Sequence, residues 1–402
     1  MRRSSHFEQW DDDRVPILDA SLEELRATRT SIKWRLFGPD VVPVWVAEMD
    51  CVPCTPVIDA IGAALRRGDV GYAAPGPLEQ AFAGFAERRW GWAPDPDTMM
   101  LLPDVMIGIA EIIRANTAAD AAVVVSPPCY DSFYGFVQSL GRRLVTAHLG
   151  SDFRLDHVAL EAAFVDAGPG SAYILCNPQN PVGTVHTPQE LAMLASLADR
   201  YGVLVISDEI HAPLTHRGVA YTPYLAVPEA RRGIAVVSAS KSWNLAGLKI
   251  ALAVPGADAI ASLGALHEVN THGANHLGEI AHVAAYEQGG DWLDDLLVEL
   301  GDRRNLLRQL LTEHLPAVRM IEAEATYLAW LDCSALGLDD PAAAFLAEGK
   351  VALSAGANYD PDSKQFVRFN LATSSEVIGE AVRRMASVVV EPSGPLQRNK
   401  LS

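Results

Sequence analysis

Lys241 ends the stretch "GIAVVSASK", in which an apolar run leads to a single lysine. A run this apolar predicts a buried strand, so the lysine would lie where the core opens to solvent. Partial removal from water lowers the pKa of a lysine amine, and a neutral lysine amine is the nucleophile of Schiff-base chemistry. This stretch alone leaves another interpretation open, in which the lysine stem lies along a strand end and its charge stays in water.

Polar side chains also occur at other strand-like runs. Asn180 lies in "NPQNPVG", a turn rich in proline that can hold an amide in one direction. Asp208 and His211 follow the run "VLVI", and Arg368 lies in "FVRFN". Each of these residues has an ordinary alternative role in a helix cap, a turn or a surface ion pair. Together with Lys241 they provide what an aldehyde cofactor with a pyridine ring and a phosphate requires.

This set of residues predicts pyridoxal 5′-phosphate as the cofactor. Lys241 would bond to the aldehyde, and Asp208 would keep the ring nitrogen protonated so that the ring acts as an electron sink. Asn180 and His211 are candidate contacts of the ring oxygen. The phosphate requires hydroxyl and amide groups near a helix N-terminus. The candidates for that role are Ser238, Ser240, Val105 and Met106 of "DVMIG" (104–108), and Lys249 as a positive charge.

The elements that must position these residues follow an α/β pattern. Short β-branched runs alternate with amphipathic stretches, which predicts βα units around a mainly parallel sheet. A helix is expected over 187–202, with Thr187 as its N-cap and Glu190 three residues later. In open α/β sheets ligands bind at the carboxyl ends of the strands. The candidate strands are 121–128, 171–178, 201–209, 233–240 and 249–256.

The length of 402 residues predicts two domains. We expect a large α/β domain over 46–300, and a smaller α+β domain over 301–392 because strand-like and helical stretches alternate again there. The first 45 residues would join the small domain, and 393–402 would form a mobile tail.

Charge and composition exclude several classes of partner. The net charge of −18 opposes binding to nucleic acid or to anionic lipid through the general field. No apolar run is long enough to cross a bilayer, and the N-terminus lacks the apolar core of a secretory signal, so a cytoplasmic protein is expected. The five cysteines are scattered, which argues against a disulfide framework, and no metal site is expected.

The motifs, taken in order, resemble the fold-type I pyridoxal-phosphate enzymes of the class I/II aminotransferase family. The similarity runs from about residue 30 to 390 and is closest to the cystathionine β-lyase and cysteine C–S lyase branch of the MalY/PatB type. The stretches that carry it are "SIKW" (31–34), "VPVWVAEMD" (42–50), "GYAAP" (71–75), "NPQNPVG" (177–183), "DEIHAPL" (208–214), "SKSWNLAGLK" (240–249) and "TYLAWLD" (326–332).

This resemblance implies a fold and further roles. The fold would be a large domain with a mainly parallel seven-stranded sheet and a smaller α+β domain. Tyr130 of "PPCYDSF" would stack on the cofactor ring, and Arg368 would bind the substrate α-carboxylate together with Asn180. Tyr72 would reach the phosphate of the neighbouring subunit, because active sites in this family form across a homodimer interface. A packed aromatic is the alternative role for Tyr72.

Two segments depart from the family pattern. The family usually has "DMDF" where this chain has "EMDC" (48–51), and it usually has glycine and phenylalanine near "LSAGANYDP" (353–361). Because such segments face the substrate in the family, Asn358 and Tyr359 are expected to influence which substrate is accepted.

The leading hypothesis is a lyase that cleaves the C–S bond of an L-cysteine conjugate by α,β-elimination. An aminotransferase is the second hypothesis. A specialised biosynthetic enzyme that performs elimination or another reaction at Cα, such as decarboxylation, on a bulky S-cysteinyl substrate is the third. A protein that binds the cofactor without turnover is the last, and the complete set of lysine, aspartate and arginine argues against it.

Overall fold

The computed structural model describes residues 16–389, so the predicted mobile tail and the first fifteen residues of the N-terminal segment lie outside the described residues. Fourteen α-helices occur in that range. They are α1 (Leu22–Thr28), α2 (Ile32–Arg35), α3 (Thr55–Arg67), α4 (Pro77–Trp90), α5 (Val105–Asn116), α6 (Ser132–Ser139), α7 (His157–Ala167), α8 (Pro188–Tyr201), α9 (Ile260–Leu263), α10 (Val269–His272), α11 (His276–Gln288), α12 (Gly290–His314), α13 (Pro341–Ala347) and α14 (Ser375–Val389).

Thirteen strands lie between these helices in the same range. They are β1 (Val42–Pro43), β2 (Met100–Leu102), β3 (Ala122–Val125), β4 (Arg143–Thr146), β5 (Ala172–Cys176), β6 (Leu204–Asp208), β7 (Ile234–Val237), β8 (Ala251–Pro255), β9 (Arg319–Met320), β10 (Leu328–Asp332), β11 (Val351–Ala352), β12 (Ser354–Ala355) and β13 (Phe366–Asn370).

The central sheet has seven strands in the order β2-β8-β7-β6-β5-β3-β4. Strands β4, β3, β5, β6 and β7 pair in parallel, whereas β8 pairs antiparallel with both β7 and β2. The prediction of an α/β fold with a mainly parallel seven-stranded sheet is therefore confirmed. Five of its strands, β3, β5, β6, β7 and β8, lie within the stretches that the sequence marks as strands.

Helices cover both faces of this sheet. Apolar side chains of α5, α6 and α9 pack on one face, and those of α7 and α8 pack on the other. The central strands β5 and β7 are buried at every residue, which explains their unbroken apolar runs. As predicted, α8 begins with a capping box, since the Glu190 backbone N–H donates to Thr187 Oγ1 (3.2 Å) and the Thr187 backbone N–H donates to the Glu190 carboxylate (2.6 Å).

A second, four-stranded sheet in the order β12-β13-β10-β9 is antiparallel, and β1 pairs in parallel with β11. The N-terminal strand thus lies beside the C-terminal part of the chain. Helix α12 runs without interruption through residue 300, where the sequence places a domain boundary. The division into domains stays a prediction. No helix within 16–389 is both long and apolar enough to span a bilayer.

Candidate active site

A cavity of about 600 Å³ lies at the carboxyl ends of β5, β6 and β7, and it brings most of the predicted site residues together. Its wall also includes residues from the N-terminal segment and from the C-terminal sheet. The predicted residues that line it are Val105, Met106, Tyr130, Asn180, Asp208, His211, Ser238, Ser240, Lys241, Lys249 and Arg368.

Lys241 lies in the turn after β7, and its Nζ donates to the carbonyl oxygen of Ala47 (2.9 Å). Burial lowers the pKa of this amine to about 8, and the positive charges of Arg368 and Lys249 act in the same direction. At a pKa of about 8, roughly a tenth of the amine is neutral at pH 7. The side chain is half-buried, and its amine is bound to the backbone of the N-terminal segment.

Asp208 is the last residue of β6 and is 3% exposed. Its carboxylate accepts a hydrogen bond from the Ile210 backbone N–H (3.1 Å). Burial raises the pKa of this carboxyl to about 7. A cation beside the carboxylate would reverse this effect, and a protonated pyridine nitrogen is such a cation.

His211 follows Asp208 at the same sheet edge and is buried. Burial lowers the pKa of its imidazole well below the ordinary value, and the charges of Lys241 and Arg368 add to this effect. Its Nδ1 has no hydrogen-bond partner among the described residues. A buried polar atom without a partner is costly, so this nitrogen is available to a bound group.

Arg368 lies in the middle of β13 and is 4% exposed. Its Nη1 donates to Asn180 Oδ1 (3.1 Å) and its Nη2 to the carbonyl oxygen of Trp45 (3.0 Å). The Tyr359 ring lies against the guanidinium, with 4.8 Å from Cζ to the ring centroid. The guanidinium is therefore held by three different segments, and its Nε has no partner among the described residues.

The predicted phosphate-binding residues, which include the first two residues of α5, all line the cavity. The Ser238 hydroxyl donates to the Ile250 carbonyl oxygen (2.9 Å) and accepts from the Ser240 backbone N–H (3.2 Å), which fixes the turn before Lys241. Asp104, which was not among the predicted residues, caps α5 by accepting from the Met106 backbone N–H (2.8 Å).

Lys249 Nζ lies 2.7 Å from the other carboxylate oxygen of Asp104. The sequence does signal this aspartate, because an aspartate directly before an apolar helical stretch is a common N-cap.

Two predicted residues do not line the cavity. Tyr72 is 88% exposed and lies in the loop before α4. Tyr359 is 1% exposed and packs between Arg368 and the Trp330 ring, so it contacts the guanidinium without lining the cavity. Its neighbour Asn358 does line the cavity.

One part of the wall was not foreseen from the sequence. It consists of Phe37, Trp45, Ala342, Ala343, Leu346 and Leu353, which line the same cavity. More than 300 positions separate the first of these residues from the last, so only the folded arrangement brings them together as one wall.

The residues present fit pyridoxal 5′-phosphate. The cavity holds an amine with a lowered pKa, a buried carboxyl that a cation would stabilise as the anion, and a buried imidazole nitrogen without a partner. These are the groups that an aldehyde, a protonated ring nitrogen and a ring oxygen require.

Comparison with known proteins identifies the family. The model of the family "Aminotransferase class I and II" matches residues 66–385. This chain belongs to the class I and II aminotransferase family. Its relatives include a protein of Mycobacterium leprae that is provisionally named cystathionine beta-lyase, at 45% identity over 93% of this chain and 98% of the relative.

Two further relatives have names of the cystathionine β-lyase type. Cystathionine beta-lyase PatB of Bacillus subtilis is 33% identical over 91% of this chain and 98% of its own length. A solved structure from Corynebacterium diphtheriae, provisionally described as a PLP-dependent beta-cystathionase, is 34% identical with a TM-score of 0.87 and covers 93% of this chain and 99% of that chain. The predictions of a fold-type I enzyme and of pyridoxal 5′-phosphate as its cofactor are therefore confirmed.

Proposed function

We propose that this family member is a lyase that cleaves the C–S bond of an L-cysteine conjugate by α,β-elimination. The observation that carries the proposal is the arrangement of Lys241 and Arg368, an amine with a lowered pKa and a fixed guanidinium that line one cavity. Relatives named cystathionine beta-lyase, at 33% identity and above, support elimination as the reaction.

Arg368 binds the α-carboxylate of the substrate. The Trp45 carbonyl and the Asn180 side chain already fix the direction of its guanidinium, so little rotamer entropy is lost when a carboxylate binds. A planar guanidinium can form two parallel hydrogen bonds to a carboxylate. The amino acid is thereby oriented with Cα toward the interior of the cavity.

Pyridoxal 5′-phosphate supplies an electron sink that acidifies the hydrogen on Cα. Lys241 takes that proton at Nζ, and a pKa of about 8 suits a base that works near neutral pH. The electron pair of the Cα–H bond forms a double bond to Cβ, and the Cβ–S bond breaks with its electrons on sulfur. With one water consumed, the products are a thiol, pyruvate and ammonia.

Other residues would hold the cofactor in this proposal. Asp208 would keep a proton on the ring nitrogen by charge pairing, and Asn180 and His211 would contact the ring oxygen. Tyr130, which lines the cavity, would stack on the ring. The phosphate would be bound by Ser238, Ser240, Lys249 and the first backbone N–H groups of α5 at Val105 and Met106.

An aminotransferase would use the same lysine, aspartate and arginine, so the products must discriminate between the two reactions. The test is to incubate the holoenzyme with S-propyl-L-cysteine, with and without 2-oxoglutarate, and to quantify propanethiol, pyruvate and glutamate. The lyase proposal predicts that propanethiol and pyruvate form in equal amounts when no 2-oxoglutarate is added. Glutamate formed without propanethiol would instead show an aminotransferase.

We also propose that the chain forms a homodimer. Of the thirteen large apolar side chains exposed in the described part of the chain, seven lie between residues 32 and 72. Such a concentration of exposed apolar side chains is typical of an interaction surface. Tyr72, at the end of this range, would reach the phosphate in the neighbouring subunit.

We propose a reducing, cytoplasmic environment as well, since all five cysteines are free thiols.

A further inference from the structure

One side of the cavity is formed by apolar side chains that none of the proposed steps uses. We call these residues the apolar wall: Phe37, Trp45, Ala342, Ala343, Leu346 and Leu353. They come from the N-terminal segment, from α13 and from the residue that precedes β12.

The apolar wall begins beside the carboxylate-binding arginine. The carbonyl oxygen of Trp45 accepts hydrogen bonds from Arg368 Nη2 (3.0 Å) and from Ser354 Oγ (2.9 Å). Leu353 directly precedes Ser354, which pairs with Arg368 in the sheet register. Cβ of a bound cysteine conjugate is attached to the carbon that carries the carboxylate. The group on sulfur therefore lies within reach of this wall.

Three cations occur among the described residues that line the cavity, and each already has a partner or a role. None of them is left to bind a second carboxylate. Lys241 is the proposed base, Arg368 holds the first carboxylate, and Lys249 forms an ion pair with Asp104 (2.7 Å). The imidazole of His211 is neutral because burial lowers its pKa.

The charged residues that remain around the cavity are acidic. Asp340 and Asp131 both line it, and one oxygen of Asp340 caps α13 by accepting from the Ala343 backbone N–H (2.9 Å). A carboxylate on the substrate substituent would therefore lose water and meet apolar carbon and negative charge, without a cation of the same chain to pair with.

We infer that the substrates are cysteine conjugates with an apolar, uncharged S-substituent, and that the enzyme discriminates against a substituent whose only charge is a carboxylate. This inference rests on the proposed lyase function. The penalty for an unpaired carboxylate predicts a preference of roughly tenfold to several hundredfold in kcat/KM.

The test compares S-propyl-L-cysteine with S-(2-carboxyethyl)-L-cysteine, which differ only in a terminal methyl or carboxylate. With the holoenzyme, kcat/KM from thiol release should be at least roughly tenfold higher for the propyl conjugate. Equal values, or a preference for the carboxylate, would overturn the inference.

A binding measurement keeps the inference testable if neither conjugate releases thiol, an outcome that would instead reject the lyase function. L-2-aminoheptanoate and L-2-aminopimelate are the corresponding carbon analogues without a leaving group. In calorimetry with the holoenzyme, the dissociation constant of aminopimelate should be at least roughly tenfold higher. Equal dissociation constants would overturn the inference.

Leu346→Lys tests the position of the wall. Leu346→Met is its matched control, because lysine and methionine are both unbranched and similar in length. The added ammonium should lower the preference for propyl over carboxyethyl by roughly tenfold, whereas methionine should leave this ratio within about threefold of wild type. Because the readout is a ratio of two substrates, a general loss of activity cancels. An unchanged ratio in Leu346→Lys would show that the substituent does not lie against α13.

Discussion

The guanidinium of Arg368 illustrates how single residues are prepared for binding in this cavity. Two of its nitrogens are bound to oxygens of the protein, and the Tyr359 ring covers one side. The side chain is held in place before any substrate arrives, which reduces the entropic cost of binding. The sequence indicates this arginine through its motif, but it does not indicate that Tyr359 packs behind it.

Arg368→Lys is expected to raise KM for amino-acid substrates strongly. An ammonium cannot form the paired hydrogen bonds of a guanidinium, and the loss of a charge-assisted pair in a partly dry cavity costs about 2 to 5 kcal/mol, or roughly 30-fold to several thousandfold in binding. The cofactor absorption spectrum should stay almost unchanged. Arg319→Lys, at an exposed arginine that pairs with Asp332, is the control. An unchanged KM in Arg368→Lys would assign carboxylate binding to another residue.

Glu209, next to Asp208, gives the apoprotein a pH-dependent stability. Its carboxylate accepts hydrogen bonds from Ser207 Oγ (2.9 Å) and the Tyr224 backbone N–H (2.8 Å), yet burial raises the pKa of this group from 4.5 to about 7. The folded state therefore holds its proton more tightly than the unfolded state does. The resulting stability is complete below pH 4.5 and is lost as the pH rises through 7.

Glu209→Gln should remove this contribution. Between pH 5 and pH 8, the free energy of unfolding of the wild-type apoprotein should fall by about 1 to 3 kcal/mol relative to that of the variant. Urea unfolding of both proteins at the two pH values measures the difference. Because glutamine has nearly the same shape as glutamate, any change in packing should alter the free energy of unfolding equally at the two pH values. Parallel pH dependence of the two proteins would contradict the raised pKa.

At the scale of elements, the segment that follows β1 connects the two parts of the site. Its Ala47 carbonyl accepts from Lys241 and its Trp45 carbonyl accepts from Arg368. Asn370, fully buried at the end of β13, donates to the carbonyl oxygens of Val46 (2.7 Å) and Glu48 (2.6 Å). Its amide therefore fixes the backbone that Lys241 and Arg368 contact.

Asn370→Ala is expected to lower the free energy of unfolding by about 2 to 4 kcal/mol, because it leaves buried carbonyl groups without their hydrogen bonds. It should also raise KM, since the backbone beside Arg368 loses its support. Urea unfolding and steady-state kinetics measure the two effects. Asn305→Ala, at an exposed position on α12, is the control. A stability and a KM equal to those of wild type would contradict this role.

The sequence predicts the buried strands better than the peripheral ones. Strands β3, β5, β6, β7 and β8 are continuous apolar runs, because helices cover both faces of the sheet. The edge strand β4 (Arg143–Thr146) is mostly exposed, and β2 (Met100–Leu102) has only three residues, so neither shows the pattern of a buried strand. The prediction therefore included the strands that carry Asp208 and Lys241 and missed the two edges.

At the scale of the whole molecule, distant parts of the chain complete the cavity. Asn180 and Arg368 are 188 positions apart and form a hydrogen bond. Motifs can indicate each of these residues. Trp45 and Leu353 also lie in quoted stretches, but no motif groups them with the rest of the apolar wall, because its members share only their position in the fold. The limits of the prediction have a physical cause. Local residue types indicate the chemistry of a site, whereas the shape of a cavity depends on tertiary packing.

Leu65→Glu should weaken the proposed dimer. Leu65 lies on α3 within the exposed apolar range and is 54% exposed. In a symmetric interface each copy would bury one unpaired carboxylate, which should raise the dimer dissociation constant by at least roughly tenfold. Light scattering over a dilution series measures the mass against the 43.2 kDa chain. Val165→Glu, at a 62% exposed valine on α7, is the control, and equal masses for both variants would contradict the interface.

The central claim is that the amine of Lys241 carries the cofactor and performs the chemistry. Borohydride reduction of the holoenzyme, followed by peptide mapping, tests it most directly, because reduction fixes the cofactor to the lysine that holds it. Lys249 lines the same cavity and serves as an internal comparison. The account predicts the pyridoxyl group on Lys241, together with a loss of turnover of at least roughly 10²-fold to 10⁴-fold in Lys241→Ala. A pyridoxyl group on Lys249, with Lys241 unmodified, would contradict it.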